Sequence, residues 1–182
     1  LVGSEMCIRD RDEFPDIEFM LGREIFFGED IAELLQENVV STLNDTDYAL
    51  IEFHPTATAD YIAQSLYKVE NAGYTPVLAH IERYPDLFKN IKMIEQIIEG
   101  GAYIQVNASS VEGRLGGGVK RQIIKLMKKG LVHFVATDAH SNRSRAPQLE
   151  ECIRYIEKKL GSDYVKKLFI DNPEKMVHNE YI

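Results

Sequence analysis

The chain has 182 residues, of which 45% are hydrophobic and 27% charged, and its formal net charge at pH 7 is −8. This composition suits one folded domain and excludes a disordered chain, while the acidic balance argues against nucleic acid as the main partner, because phosphate backbones are bound by clustered Lys and Arg. No apolar run approaches the roughly 20 residues that span a bilayer, and two cysteines offer neither a disulfide framework nor a metal-binding spacing, which together predict a cytoplasmic protein with reduced thiols.

The start of the chain differs from the remainder. Residues 1–11, LVGSEMCIRDR, show neither helical nor strand periodicity and have the character of non-native sequence. We therefore expect residues 1–11 to be a non-native segment and residues 12–182 to form the functional domain.

From residue 12 onward, short apolar runs alternate with amphipathic stretches. In chain order, the patterns predict a strand at 17–27, a helix at 29–37, a strand at 48–53, a helix at 58–71, a strand at 75–80, a helix with apolar residues from 91 to 98, a strand at 102–106, a helix with apolar residues from 119 to 127, a strand at 131–136, and helices at 147–160, at 163–169 and from 171 onward. Five strands that alternate with helices predict an α/β fold with parallel strand pairing.

Five polar residues lie within or just after these apolar strands. They are Glu24, Glu52, His80, Asp138 and His140. In α/β barrels the carboxyl ends of the strands carry the active site, so side chains of this kind are expected to share one space. A mixed carboxylate and imidazole set suits manganese, zinc or iron better than calcium. Each residue alone is more typical of a surface or core position, and the convergence of five favours a metal site.

The spacing of Asp138 and His140 also suits ligation, because alternate residues of an extended segment face the same side. Two other histidines have different expectations. His133 lies inside an apolar strand and is expected in the core, whereas His178 is expected at the surface.

Several longer motifs resemble the bacterial manganese-dependent tyrosine-protein phosphatases of the CpsB, CapC and YwqE type, which belong to the PHP superfamily. The motifs are Gly22-Arg23-Glu24-Ile25, Leu43-Asn44-Asp45-Thr46, Leu50-Ile51-Glu52-Phe53, Ala79-His80-Ile81-Glu82-Arg83-Tyr84 and Ala136-Thr137-Asp138-Ala139-His140. They occur in the family's order, and the resemblance extends from about residue 12 to the C-terminus.

The resemblance implies a fold, a chemistry and a partner. The fold would be a PHP-type distorted β/α barrel, similar to a TIM barrel. The same five polar residues would bind Mn²⁺, with two or three ions in the complete protein. Arg83 and Arg145 would hold the phosphate and so serve both substrate binding and catalysis, because a planar guanidinium pairs bidentately with phosphoryl oxygens. The substrate would be phosphotyrosine on a protein, in particular a bacterial tyrosine kinase of capsule or exopolysaccharide synthesis.

The chain departs from the family pattern at two points. Ile81 follows the candidate ligand histidine where the family usually has proline. The family also opens with a His-x-His strand, and no histidine precedes Glu24 here. We therefore expect the barrel to be incomplete at the N-terminus and to lack its first β/α units.

Two alternatives to a tyrosine phosphatase stay open at this point. One is a small-molecule phosphatase of the PHP superfamily, such as a histidinol-phosphate phosphatase, and the other is an inactive truncated remnant. A cysteine-dependent phosphatase is excluded, because the Cys-x5-Arg motif would need arginine where Glu13 and Lys158 stand.

Overall fold

The computed structural model describes residues 18–140 and 147–182. Within them five strands form one sheet in the order β1-β2-β3-β4-β5, and every neighbouring pair is parallel. The prediction of an α/β fold with parallel pairing is thus confirmed. Among the described residues the sheet is open, with β1 and β5 at its two edges. Three predictions lie outside the described residues: the non-native segment 1–11, the first residue of the 17–27 strand, and the position of Arg145.

The strands are short and lie close to their predicted positions. They are β1 (Glu24–Phe26), β2 (Tyr48–Glu52), β3 (Thr75–Leu78), β4 (Tyr103–Asn107) and β5 (Phe134–Ala136). The first strand is shorter than predicted, because the backbone before it makes a hydrogen bond outside the sheet. The carbonyl of Leu21 accepts a hydrogen bond from the backbone N–H of Asn44 at 2.6 Å, outside the sheet.

Helices connect the strands and follow the last one. They are α1 (Ile31–Gln36), α2 (Ala59–Asn71), α3 (Pro85–Lys89), α4 (Ile91–Glu99), α5 (Ala108–Glu112), α6 (Gly117–Lys128), α7 (Glu150–Leu160), α8 (Ser162–Lys166) and α9 (Asn172–Val177). Helix α2 begins where predicted because the hydroxyl of Thr58 accepts a hydrogen bond from the N–H of Tyr61 at 3.2 Å.

Three short helical elements were not predicted from the sequence. Helices α3 and α5 and the 3₁₀ turn Ile81–Arg83 each have five residues or fewer, too few to show a helical period. At the other end of the chain, α8 and α9 are joined by a π-helical stretch, Lys167–Asp171. The two separate helices that were predicted there therefore form one continuous helical segment. No helix in the described parts of the chain is long and apolar enough to cross a membrane.

The two faces of the sheet differ in what they carry. One face packs into the main core against the helices, and buried residues such as Ile25, Ile51 and Ile104 belong to it. The other face carries a smaller apolar cluster of Tyr48, Val77 and Phe134. Since side chains alternate along a strand, the polar residues Glu24, Glu52, Gln105 and Asn107 share this second face with the smaller cluster.

His133 is a buried histidine whose environment requires the neutral ring. It is 7% exposed, as expected for a core residue, and its Nδ1 accepts a hydrogen bond from the backbone N–H of Ile104 at 3.1 Å. Protonation would place a second donor against that N–H. Burial lowers the pKa of His133 to about 4 from its ordinary value of 6.5.

We expect this histidine to make the fold less stable in acid. The folded-state pKa lies below the unfolded one, so the unfolded chain binds more protons between about pH 4 and about pH 6.5. The contribution of His133 is complete above about pH 6.5, and about 3 kcal/mol is lost as the pH falls through that window to about 4. Urea unfolding of the wild type and His133→Gln across this window measures the difference in slope.

The exposed His178 provides a matched control. His178→Gln should keep the wild-type dependence on pH, whereas His133→Gln should flatten it. An unchanged slope in His133→Gln would mean that the acid sensitivity arises elsewhere.

Candidate metal centre

Three potential metal ligands meet at one end of the sheet. Glu24 opens β1, Glu52 closes β2, and His80 lies two residues past the end of β3. The Nε2 atom of His80 is 2.8 Å from Oε1 of Glu24 and 3.2 Å from Oε1 of Glu52. One donor atom from each of the three residues lies within 4.8 Å of the others. The cluster therefore offers two carboxylate oxygens and one imidazole nitrogen to a single point.

The backbone and a buried tyrosine orient the His80 ring. His80 has a left-handed φ of 32°, which is uncommon for a residue other than glycine. Its Nδ1 lies 3.4 Å from the hydroxyl of Tyr84, and that hydroxyl accepts a hydrogen bond from the N–H of Phe53 at 3.0 Å. With Nδ1 turned to Tyr84, Nε2 faces the two carboxylates. Ligand histidines commonly have their second nitrogen held in this way.

The electrostatics of the cluster favour a charged Glu24 carboxylate. The hydrogen bond from His80 holds the pKa of Glu24 below its ordinary value, against the opposing effect of partial burial. Glu24 and Glu52 are about one third exposed, at 34% and 28%, whereas His80 is 2% exposed. The acidic groups thus face an opening, and the imidazole forms its floor.

Arg83 links this cluster to Asp138. Its Nη2 lies 2.7 Å from Oδ2 of Asp138, and its Nη1 lies 3.4 Å from Oε1 of Glu52. The Arg83 side chain is 35% exposed, so it is only partly buried beside these carboxylates. Arg83 therefore offsets the charge of two carboxylates, and together with Asn107 and Asp138 it lines a neighbouring pocket of about 190 Å³.

Asp138 and His140 lie at the same edge of the sheet, after β5. Together with Glu24 and His80 they line one cavity of about 440 Å³. The Nδ1 atom of His140 is 2.9 Å from the carbonyl oxygen of Asp138 and 3.4 Å from its Oδ1. The extended segment predicted for this pair is wrong, because Asp138 has a left-handed φ of 50°. The left-handed backbone at Asp138, and not alternation along a strand, accompanies the approach of the two side chains.

Two buried residues around the site, Tyr84 and Gln105, were not predicted as part of it from the sequence, whereas Asn107 closes an apolar strand and was a candidate to line the pocket. Tyr84 is fully buried, and Gln105 and Asn107 are each 5% exposed. The signal for the two amides was present, because polar residues alternate with apolar ones along β4, Tyr103–Asn107. The role of Tyr84 had no such signal, since a tyrosine before Pro85 fits a packing role equally well.

The donor set fits a divalent transition metal. Two carboxylate oxygens and a neutral imidazole nitrogen are ligands typical of manganese, zinc and iron, whereas calcium prefers oxygen ligands alone. Partly exposed carboxylates facing one buried imidazole also provide the negative charge that such an ion needs. A parallel α/β sheet with this donor set at one edge is suited to a metal-dependent hydrolase.

The chain belongs to the CpsB/CapC family. The family model for capsular polysaccharide synthesis proteins CpsB/CapC matches residues 3–178. This finding confirms the family that the sequence motifs suggested.

Two named relatives align with most of this chain. Tyrosine-protein phosphatase CpsB of Streptococcus pneumoniae is 37% identical over 172 residues, which is 92% of this chain and 71% of the relative. Tyrosine-protein phosphatase YwqE of Bacillus subtilis is 31% identical over 172 residues, 94% of this chain and 67% of the relative.

The fold is also that of a solved relative. A crystal structure from a study of YwqE from Bacillus subtilis and CpsB from Streptococcus pneumoniae, described as unique metal-dependent tyrosine phosphatases, superimposes with a TM-score of 0.87 at 29% identity. The match covers 98% of this chain and 73% of that one.

Proposed function

We propose that this chain is a metal-dependent phosphatase that hydrolyses phosphotyrosine on proteins. The observation that carries the proposal is the convergence of Glu24, Glu52 and His80 beside the guanidinium of Arg83. A cation site next to an arginine suits a phosphate monoester, whose oxygens are attracted to both. The relatives named as tyrosine-protein phosphatases support the same reaction.

Manganese is the ion that we assign to this site, with two or three ions in the complete protein. Glu24, Glu52 and His80 would hold one ion, and Asp138 and His140 would supply further donors from the end of β5. When bound, divalent ions supply a hydroxide nucleophile near neutral pH and positive charge opposite the phosphoryl oxygens.

The side chains of the chain itself orient the substrate. We assign phosphate binding to Arg83, because a planar guanidinium can donate two parallel hydrogen bonds to phosphoryl oxygens. Charge that develops on these oxygens during the reaction would be stabilised there. We assign the same role to Arg145, which lies five residues after His140 and outside the described residues.

His80 has a distinct task in this scheme. Its Nδ1 faces the hydroxyl of Tyr84, so a proton on Nδ1 would leave Nε2 free to coordinate. Burial raises the pKa of Tyr84, which keeps its hydroxyl neutral as a partner for the imidazole. Tyr84 therefore maintains the imidazole orientation that the carboxylates require.

The biological partner that we propose is a bacterial tyrosine kinase of capsule or exopolysaccharide synthesis. The family description, capsular polysaccharide synthesis, supports this choice. We also assign the reaction to the cytoplasm. The free, buried thiol of Cys152 supports that setting, because thiols stay reduced in the cytoplasm.

A comparison of substrates tests the proposal. With manganese present, we expect a phosphotyrosine peptide to be preferred over histidinol phosphate by on the order of 100-fold in kcat/KM, because the enzyme would recognise the aryl ester and its flanking peptide. A phosphoserine peptide of the same sequence isolates the contribution of the aryl group. Faster turnover of histidinol phosphate would instead favour a small-molecule phosphatase.

A further inference from the structure

Two buried amide side chains on β4 lie between the candidate ligands of β3 and β5. Gln105 and Asn107 are each 5% exposed and occupy alternate positions of the strand, so they share one face. Strand β4 itself contributes no candidate ligand. Burial of an amide costs free energy unless the amide is hydrogen-bonded. The hydrogen-bond partners of Gln105 and Asn107 therefore indicate the role of these two side chains.

Gln105 holds the loop that carries His80. Its Oε1 accepts a hydrogen bond from the backbone N–H of His80. His80 has a left-handed backbone, a conformation that persists only where its surroundings enforce it. The bond from Gln105 is one such constraint, and it acts directly on the residue whose imidazole points at the carboxylates.

Asn107 holds the carboxylate of Asp138. Its Nδ2 donates to Oδ2 of Asp138 at 2.9 Å, and its Oδ1 accepts from Nε2 of Gln105 at 2.9 Å. The bond from Gln105 determines which way the Asn107 amide faces, because only the NH₂ group can then point at the carboxylate. The backbone N–H of Asn107 also donates to Glu82 at 2.9 Å, which joins the strand end to the turn after His80.

We propose that Gln105 and Asn107 form a relay of positioning residues that sets the spacing between His80 and Asp138. This inference rests on the proposed metal site. The hydrogen bonds run from the His80 backbone through Gln105 and Asn107 to the Asp138 carboxylate without a break. A purely structural pair would stabilise the fold and leave the affinity for metal unchanged. A relay instead ties metal affinity to the two amides.

The test measures manganese binding to metal-free protein for Gln105→Met, Asn107→Leu and the double variant. Both substitutions keep side-chain size while they remove the hydrogen bonds. Each single variant should raise the Kd for manganese by about 10–100-fold, the usual effect of losing a group that orients a ligand. The two amides act through one chain of hydrogen bonds. The Kd of the double variant for manganese should therefore be close to that of the single variant with the higher Kd.

A matched control is Gln122→Leu. Gln122 is another amide, whose Nε2 donates to the carbonyl of Phe88 at 3.0 Å on the helix side of the fold. This variant should lower stability without changing the Kd for manganese. Thermal unfolding of each metal-free protein gives the folded fraction, and the Kd is calculated for that fraction. If Asn107→Leu does not fold, Gln105→Met alone still tests the proposal.

Wild-type affinity in Gln105→Met and in Asn107→Leu would overturn the relay and leave the metal site standing. Equal weakening in Gln122→Leu would overturn it as well, because the effect would then follow stability alone. If the wild-type chain bound no manganese, the proposed function would fail and the relay with it. If the wild type bound manganese and both single variants bound it equally well, only the relay would fail.

Discussion

Replacement of His80 by alanine should lower phosphotyrosine hydrolysis by more than about 100-fold, because loss of an orienting group beside a metal ligand already costs about 10–100-fold. His80 is the only nitrogen donor of the cluster of three formed by the described residues, and it is the buried member. Its loss would leave two carboxylates facing each other without the imidazole between them. Activity measured over a range of manganese concentrations would show whether added metal restores part of the loss.

His54 supplies the control for this substitution. It lies two residues after Glu52, is exposed, and bonds to the hydroxyl of Thr56 at 2.8 Å. His54→Ala should keep wild-type activity. Wild-type activity in His80→Ala as well would exclude this imidazole from the reaction.

Replacement of Arg83 by methionine should lower kcat/KM by about 100- to 1,000-fold, the usual cost of removing one donor to the developing negative charge. Manganese should bind the variant at least as tightly as the wild type. The reason is electrostatic, since Arg83 offsets the charges of Asp138 and Glu52, and its removal makes the site more negative. Parallel measurements of turnover and bound metal separate the two effects.

Two further variants complete this test. Arg83→Lys keeps the charge but not the planar pair of donors, so most of the loss should persist. Arg154→Met removes a guanidinium that pairs with Glu150 on α7 and should leave activity unchanged. Loss of metal from Arg83→Met in step with activity would show that Arg83 supports the metal site and not the phosphate. Arg145→Met is expected to behave as Arg83→Met does.

The strand ends could be predicted from the sequence because apolar runs mark them. Glu52 and His80 stand at the ends of two such runs, and the parallel order of the sheet brings them to one edge. Glu24 was harder to place, since the apolar run around it extends well beyond the three residues of β1. The position of Glu24 relative to Glu52 depends on the register of β1 on β2, in which Phe26 lies opposite Glu52.

The turns around the site could not be predicted from periodicity. His80 and Asp138 both adopt left-handed backbones, which Asp and His residues visit only occasionally and which hydrophobic periodicity does not indicate. Their geometry depends on contacts made by distant residues, among them Gln105 and Asn107. The family motifs indicated which residues gather there, whereas the constraints that hold them became visible only in the folded chain.

The incomplete barrel and the non-native segment 1–11 stay predictions. Within the described residues β1 and β5 are sheet edges, and the genomic sequence upstream of residue 12 would test both expectations. The presence there of a His-x-His strand would add donors to the same edge of the sheet and would support a site of two or three ions.

The binding isotherm of manganese, measured in the absence of substrate, tests the metal centre most directly. We expect the wild-type chain and His54→Ala to bind manganese with the same Kd, and His80→Ala to bind it more than about 100-fold more weakly. Glu24→Gln should also weaken binding, because it removes one of the two carboxylates whose oxygens face His80. Equal binding by the wild type and His80→Ala would show that the cluster of Glu24, Glu52 and His80 is not the metal site.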